Sequence, residues 1–203
     1  MDERIIEQGM QALADRDRDL AQALGQLGPP PPRIRPAGFE TFLATIVSQQ
    51  ISTSAARAIL NRVVALLPER SAAALLMVED EALRAAGLSY RKVDYIKGLA
   101  RAIVESRFDV DGLTAMSDEQ AVAAITALRG FGRWSAEIYL MFSLGRQDIF
   151  PADDLALQVA LGRLKNLDRK PTPRAARDLV AHWGPWRSVG ALFLWHYYQG
   201  APP

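Results

Sequence analysis

Apolar residues recur along the chain with the spacing of a helix face. The two earliest stretches are typical of amphipathic helices, because their apolar positions follow the i, i+4, i+7 rule. These positions are Ile6, Met10 and Leu13, then Leu20, Leu24 and Leu27. No two strand-like runs are joined by a hairpin-turn signal. The pattern therefore predicts an all-α fold.

Helix start signals support this prediction along the whole chain. Short hydroxyl side chains precede several apolar stretches, where they can accept hydrogen bonds from the free N–H groups of a first helical turn. Predicted caps are Ser71, Ser117 with Gln120 as a capping box, and Thr172 with Pro173 at N1, and further helical stretches are predicted to begin near Ser52 and Ser89. Later helices are predicted over about 154–167, 172–183 and 185–198. Gly28 and the four prolines after it cannot continue a helix, so we predict a stiff connection there.

The composition is that of an ordinary globular protein, with 49% apolar and 23% charged residues among 203. The absence of cysteine excludes disulfides, cysteine-based zinc sites and four-cysteine iron–sulfur clusters. No apolar run is long enough for a membrane span, and the first residues do not resemble a signal peptide. We therefore expect a cytoplasmic monomer that does not bind membranes, nucleoid-associated if the source is bacterial.

Charge is informative in its distribution more than in its total. The net charge is only +1, which does not by itself indicate a nucleic-acid partner. Basic residues are concentrated in two stretches, 84–107 and 163–177. Each stretch is explained equally well as a solvated helix face or as part of a DNA-binding surface.

A glycine hairpin is the strongest local feature. Gly130 and Gly132 flank Phe131, so the backbone can turn tightly and approach a partner closely. A helix predicted to begin near Arg133 would leave its first N–H groups unpaired and its dipole open to an anion. Such a hairpin can bind a phosphate without selecting a base, which suits a protein that holds DNA of any sequence.

Two segments resemble one family of DNA repair enzymes. The segments LRGFGRWSA (128–136) and FPADDL (150–155) are similar to the helix-hairpin-helix DNA glycosylases with a downstream Gly/Pro…Asp signature, the HhH-GPD superfamily. Within it, the alkylated-base branch, 3-methyladenine DNA glycosylase II, is the most similar. The likeness covers about residues 37–199.

The resemblance implies a two-lobed helical architecture. One lobe would comprise residues 37–147, and the other residues 1–36 with 148–203. A cleft would separate them, with the helix-hairpin-helix motif beside it. The N-terminal β-domain of some members has no room in this chain.

The resemblance also implies an activity, a partner and a catalytic residue. A monofunctional glycosylase of base excision repair would bind double-stranded DNA, flip out a damaged base and hydrolyse its N-glycosidic bond. The expected substrates are alkylated purines, 3-methyladenine and also 7-methylguanine, and the product is an abasic site. Asp154 matches the family's essential aspartate, whose charge would stabilise the oxocarbenium-like sugar. Capping explains one aspartate of the pair, and we assign Asp153 to it.

Aromatic residues are expected to form the base pocket. Bifunctional members of the superfamily carry a lysine where this chain has Trp134, so no Schiff base can form there and lyase activity is not expected. By the resemblance, Trp195 stacks on the base, Trp134 forms a second wall and Phe39 contributes. Ile138 and Leu155 are aliphatic where the family can be aromatic, which leaves the substrate range open.

Further positions are matched to DNA contacts. Gln50 corresponds to the residue that fills the gap left by the flipped base, although an ordinary polar turn explains it equally well. Gly130, Gly132, Arg133 and Ser135 would lie along the phosphate backbone.

No cofactor is expected to be required, although the family implies a structural Na⁺ or K⁺. The backbone carbonyls of Thr126, Leu128 and Gly130 match the positions that hold such a cation.

Two alternatives remain at this point. A non-catalytic helix-hairpin-helix module would bind DNA without needing Asp154. A glycosylase for deaminated or etheno bases would share the reaction but not the substrate.

Overall fold

The computed structural model describes residues 1–200, and this part of the chain is helical throughout. It contains twelve α-helices, two 3₁₀ turns and no strand, so the all-α prediction is confirmed. The α-helices are α1 (Glu3–Ala14), α2 (Arg18–Leu27), α3 (Phe39–Ser48), α4 (Thr53–Ala65), α5 (Ala72–Met77), α6 (Asp80–Ala85), α7 (Tyr90–Val104), α8 (Asp118–Thr126), α9 (Arg133–Phe142), α10 (Leu155–Leu164), α11 (Pro173–Leu179) and α12 (Arg187–Gly200).

The predicted caps are present, and they set where the helices begin. The side chains of Ser71, Ser117 and Thr172 each accept a hydrogen bond from a backbone N–H in the first turn. Ser52 and Ser89, where two further stretches were expected to begin, cap their helices in the same way. Helix ends are less well predicted. The helix expected to reach residue 183 stops at 179, and a separate 3₁₀ turn covers Ala181–Trp183.

Backbone contacts divide the chain into two units. One comprises Met1–Arg35 together with the chain from Glu137 onward, and the other comprises Pro36–Ala136. The division falls inside α9, whereas the sequence analysis placed its boundary in the loop after that helix, near residue 147. A helix shows no turn or change of composition at such a division, so the sequence carries no signal for it.

Aromatic packing anchors the glycine hairpin in the core of the unit 36–136. Phe42 on α3 makes edge-to-face contacts with Phe108 and Phe131, each with ring centroids 5.4 Å apart. Phe131 is the central residue of the hairpin and is buried. Because this ring is held inside the unit, the flanking glycines have a fixed position at its surface.

In the other unit, α12 packs closely on the fully buried Trp183. A Cβ added at Gly190 would lie only 2.4 Å from the Trp183 ring, so only glycine fits there. The Trp183 indole N–H in turn donates to Asp17 at 2.7 Å. A tryptophan and an aspartate therefore meet in the core that supports α12.

No helix among residues 1–200 combines the length and the apolar character that a membrane crossing requires.

Asp17 is a buried carboxylate that is held by several partners. It caps α2 through Leu20 N and accepts a hydrogen bond from Lys165 Nζ at 2.6 Å. Burial alone would raise the pKa of Asp17, but hydrogen bonds from Lys165, Trp183 and Leu20 N and the charge of Lys165 outweigh it, and the pKa is lowered. Burial lowers the pKa of Lys165, yet its bonds to Asp17 and Asp19 raise it overall.

These pKa shifts predict the pH range in which Asp17 and Lys165 stabilise the fold. A lowered aspartate pKa gives stability that is present above the unfolded value, about 3.9, and is lost as the pH falls through the folded pKa. A raised lysine pKa gives stability that is present below about 10.4 and is lost as the pH rises through the folded pKa.

We expect Asp17→Asn to lower the free energy of unfolding by about 3 kcal/mol at pH 7, because the buried Trp183 and Lys165 lose their charged partner. Urea denaturation at a series of pH values measures this difference, which should shrink below about pH 4. Asp19→Asn is the matched control, since the exposed Asp19 is the second partner of the same lysine, and its effect should stay under about 1 kcal/mol. Equal effects of the two substitutions would contradict the role of burial.

Candidate active site and nucleic-acid interface

Asp154 lies on a turn that is fixed from inside the protein. Within the turn, Ala152 N donates to Phe150 O at 2.8 Å and Asp154 N donates to Pro151 O at 3.0 Å. The buried side chain of Gln158 on α10 donates to Ala152 O at 2.8 Å. The turn is therefore braced by the helix that follows it.

Asp154 itself is the N-cap of α10. Its Oδ1 accepts a hydrogen bond from Leu157 N at 3.0 Å, so the carboxylate lies at the positive end of the helix dipole. The assignment of capping to Asp153 was therefore wrong. The turn places Asp153 one residue too early to cap, and its side chain lies 3.5 Å from Arg177 instead. Two adjacent aspartates give no sequence signal for which one ends the turn.

Trp195 shares the same carboxylate oxygen. Its indole Nε1–H donates to Asp154 Oδ1 at 3.3 Å, so Asp154 accepts from a helix amide and an indole at one atom. Asp154 and Trp195 are the two predicted site residues of the unit that includes Met1–Arg35, and the structure brings them together. The bond directs the carboxylate toward the edge of the ring that is predicted to stack on a base.

The loop before Asp154 is tied to the start of α12, which carries Trp195. Arg187 forms two hydrogen bonds with Asp148, at 2.7 and 2.8 Å. The buried hydroxyl of Ser188 donates to Arg146 O at 2.7 Å and accepts from Ile149 N at 2.9 Å. These hydrogen bonds therefore fix the segment that leads to Asp154 against the helix that carries Trp195.

Arg33 is a residue of this site that the sequence analysis missed. Its guanidinium carbon lies 4.4 Å from the centre of the Phe142 ring and 5.7 Å from that of Trp195. Burial lowers the pKa of Arg33, the charge of Arg35 lowers it further, and the charge of Asp154 opposes both. Arg33 follows a proline run far from the other site residues in sequence, so no motif indicates its position.

The glycine hairpin in the unit 36–136 has the geometry expected for it. Gly130 has φ +94°, and a Cβ there would lie 2.5 Å from the ring of Tyr95. Gly132 has open space where a Cβ would be and is exposed. Arg133 begins α9 at the surface and lies 3.7 Å from Glu119. Ser135 is half-buried in the first turn of α9.

The turn after α3 is joined directly to the hairpin. Gln49 Nε2 donates to Gly130 O at 2.7 Å, a contact that the sequence analysis did not predict. Lys92 Nζ donates to Val47 O at 2.7 Å and to Gln49 O at 2.8 Å, and burial lowers the pKa of this lysine. Gln50 follows with φ +58°, a left-handed conformation that glycine favours. Gln50, Gly130 and Gly132 thus belong to one connected surface.

The backbone conformation of Gln50 is held by its neighbours, and the DNA-binding role of this residue stays a prediction. A non-glycine residue with positive φ persists only where the surroundings enforce it, and such residues cluster at functional sites. Here the enforcing contacts are those of Gln49 and Lys92 on either side of the backbone.

The remaining predicted pocket residues of the unit 36–136 lie at helix starts. Trp134 is in the first turn of α9 and is 44% exposed, unusually high for a tryptophan. Phe39 is the first residue of α3 and is half-buried. In the other unit, Ile138 is buried and Leu155 is exposed.

The predicted cation ligands already take part in hydrogen bonds. The Leu128 carbonyl accepts from Phe131 N at 3.2 Å, and the Gly130 carbonyl accepts from the Gln49 amide. Thr126 is the last residue of α8. The cation stays a prediction. Within residues 1–200, no cluster of three His, Asp or Glu side chains is arranged to hold a metal ion.

Comparisons with known proteins bear on the whole chain. Residues 43–185 match the HhH-GPD superfamily of base excision DNA repair proteins. The DNA-3-methyladenine glycosylase 1 of Schizosaccharomyces pombe is 28% identical over 190 residues, which cover 92% of this chain and 83% of that protein.

Two solved structures are similar over nearly their full lengths. The DNA-3-methyladenine glycosidase of Bacillus halodurans has a TM-score of 0.86 and 30% identity, covering 95% of this chain and 89% of the other. The S. pombe 3-methyladenine DNA glycosylase, solved in complex with abasic DNA, has a TM-score of 0.84 and 27% identity, covering 96% and 98%.

The two hairpin glycines should respond differently to substitution. Gly130→Ala combines positive φ with a clash against Tyr95, so we expect a loss of about 3 kcal/mol in the free energy of unfolding. Gly132→Ala has space for its methyl group and should change stability by no more than about 1 kcal/mol. Thermal denaturation measures both effects.

Gly132→Ala should nevertheless weaken binding to duplex DNA by about tenfold, since a methyl group at an exposed hairpin amide keeps a phosphate at a distance. Fluorescence anisotropy with a labelled duplex measures the affinity. A Gly132→Ala variant that binds DNA as tightly as the natural protein would contradict close backbone approach at this glycine.

Proposed function

The chain belongs to the HhH-GPD superfamily of base excision DNA repair proteins, and from this premise we propose that it is a monofunctional DNA glycosylase. It hydrolyses the N-glycosidic bond of alkylated purines in double-stranded DNA, 3-methyladenine first and also 7-methylguanine, and leaves an abasic site. The observation that carries this proposal is the Asp154 carboxylate, held by Leu157 N and the Trp195 indole at 3.0 and 3.3 Å.

Asp154 acts on the charge that develops in the sugar. As the bond between C1′ and the base nitrogen breaks, the base leaves with the electron pair and the deoxyribose becomes oxocarbenium-like. A fixed carboxylate stabilises that positive charge without having to reorganise. Water then adds to C1′ and loses a proton, which gives the abasic sugar.

The absence of a lysine at position 134 supports a hydrolytic reaction without strand cleavage. A Schiff base with the sugar needs an amine at the nucleophile position, and Trp134 offers only an aromatic ring. The ring is available to a flipped base, because a large part of it is exposed. Trp195 and Phe39 supply further aromatic surface.

Aromatic stacking suits alkylated purines for a physical reason. Methylation at N3 or N7 leaves a deoxynucleoside base with a positive charge, and electron-rich ring faces attract cations. Such a base is also a good leaving group, so modest electrostatic help suffices. Flipping requires a few kcal/mol, and a damaged base requires the least.

The surface of the hairpin and the turn after α3 holds the DNA. The exposed amides at Gly132 and Arg133 bind the phosphate backbone, and Gln50 fills the gap left by the flipped nucleotide. A DNA complex of the similar S. pombe enzyme supports DNA as the partner.

Neutralising Asp154 is the decisive test of catalysis. Asparagine caps a helix as well as aspartate does, so Asp154→Asn keeps the bonds to Leu157 N and Trp195 and loses only the charge. We expect the rate of release of 3-methyladenine from methylated duplex DNA to fall by roughly 100-fold or more. Chromatography of the released bases measures this rate.

Asp153→Asn is the matched control, because it removes a neighbouring charge whose side chain lies 3.5 Å from Arg177. Its excision rate should equal that of the natural protein. If Asp154→Asn retains full excision, or if borohydride traps a covalent adduct with the sugar, the proposed mechanism is wrong. DNA binding without any excision by the natural protein would favour the non-catalytic module.

Gln50→Gly tests the role of the side chain in DNA binding without destabilising the fold. Glycine adopts φ +58° without strain, so stability should be unchanged or higher by up to about 1 kcal/mol. Affinity for a duplex with an abasic site should fall about tenfold, since nothing then fills the gap. Anisotropy measures the affinity and thermal denaturation the stability, and unchanged affinity would end this role for Gln50.

A further inference from the structure

Arg33 lies where the proposed function needs an aromatic surface. The rings of Phe142 and Trp195 are 5.9 Å apart at a tilt of 41°, and the Arg33 guanidinium is placed over both. The geometry is that of a cation–π interaction, in which Arg is found more often than Lys. These rings therefore already interact with a positive charge that belongs to the protein.

The backbone around Arg33 is held in place on both sides. Arg33 N donates to Met1 O at 3.2 Å, and Arg35 N donates to Phe142 O at 2.9 Å. The second bond ties the segment to the end of α9, directly beside the ring that the guanidinium covers. The position of the charge therefore follows from backbone hydrogen bonds as well as from the side chain.

A cavity lies beside the guanidinium. Arg33 is exposed, and it borders a cavity of about 150 Å³ that is also lined by Leu192, Trp195 and Gln199. A ligand that stacks on Trp195 can therefore meet Arg33 either on the ring or beside it. In both positions the ligand is close to a permanent positive charge.

We propose that Arg33 is a specificity-determining residue that disfavours cationic damaged bases relative to neutral ones. This inference rests on the proposed function, in which the damaged base stacks on Trp195. A cationic base such as 7-methylguanine competes with the guanidinium for the same electron-rich faces and is repelled by it. A neutral base such as hypoxanthine or ethenoadenine stacks without repulsion and can accept hydrogen bonds from the guanidinium.

Asp154 also acts on the charge of Arg33. Its carboxylate partly offsets the lowering of the guanidinium pKa by burial and by Arg35. By the same interaction, Arg33 opposes the stabilisation of the cationic sugar. That effect is the same for every lesion, because all of them pass through the same sugar cation. It therefore cancels when two lesions are compared.

The test compares lesions of different charge in three proteins, the natural protein, Arg33→Met and Arg33→Lys. Single-turnover excision is measured on otherwise identical duplexes containing 7-methylguanine, hypoxanthine or ethenoadenine. Arg33→Met keeps an apolar side chain of similar length over the rings and removes the charge. It should raise the ratio of 7-methylguanine to neutral-base excision by about three- to tenfold.

Arg33→Lys is the matched control, since it keeps the charge and loses the planar group. Its ratio should stay within about twofold of the natural one. Thermal denaturation establishes that both variants are folded.

Several results would overturn the inference. An unchanged ratio in Arg33→Met, or an equal loss of excision on all three lesions, would mean that Arg33 supports the site without discriminating by charge. The same ratio change in Arg33→Lys as in Arg33→Met would assign the effect to hydrogen bonding. Release of 7-methylguanine that is no faster in Arg33→Met than in the natural protein would also contradict it. Failure of the proposed function is distinct, because excision would then be independent of Asp154 in every background.

Discussion

One oxygen atom couples the chemistry of this protein to its fold. Asp154 Oδ1 accepts the first free amide of α10 and the indole N–H of Trp195. A helix cap is among the best-defined positions that a short side chain can occupy, because the backbone around it is fixed by the helix. The proposed catalytic charge therefore has its position set by secondary structure, and the proposed stacking surface is aligned to it by a hydrogen bond.

A second arrangement places the proposed DNA contacts on a rigid support. Phe131 fixes the hairpin from the core, and the Gln49 amide joins the hairpin to the turn that ends α3. Lys92 donates hydrogen bonds to two carbonyls of that turn, and the burial of its ammonium group lowers its pKa. Binding to a phosphate backbone gains most when the amides are already in place, since little entropy is then lost on contact.

Most of the fold could be predicted from the sequence, since helix periods and caps are local properties. Ser71 and Ser117 illustrate this, because each accepts a hydrogen bond from a backbone amide three residues away. The Asp154 site could be found from its motif, but its partners could not all be found. Arg33 and Asp17 meet residues more than 100 positions away, and no local pattern reports such contacts. The cap falls on Asp154 instead of Asp153 because of a turn that either residue could have ended.

The proline run before Arg33 has a consequence for how its charge is placed. Residues 29–32 have fixed φ angles and no N–H groups, so they form a stiff spacer that cannot join a helix or a strand. An extended proline segment advances about 3.1 Å per residue. The backbone that follows is bonded to Met1 O and Phe142 O, so the spacer leads Arg33 to a fixed place beside the Phe142 ring. Because prolines have little backbone freedom to lose on folding, the charge above the tryptophan is placed at a small cost in conformational entropy.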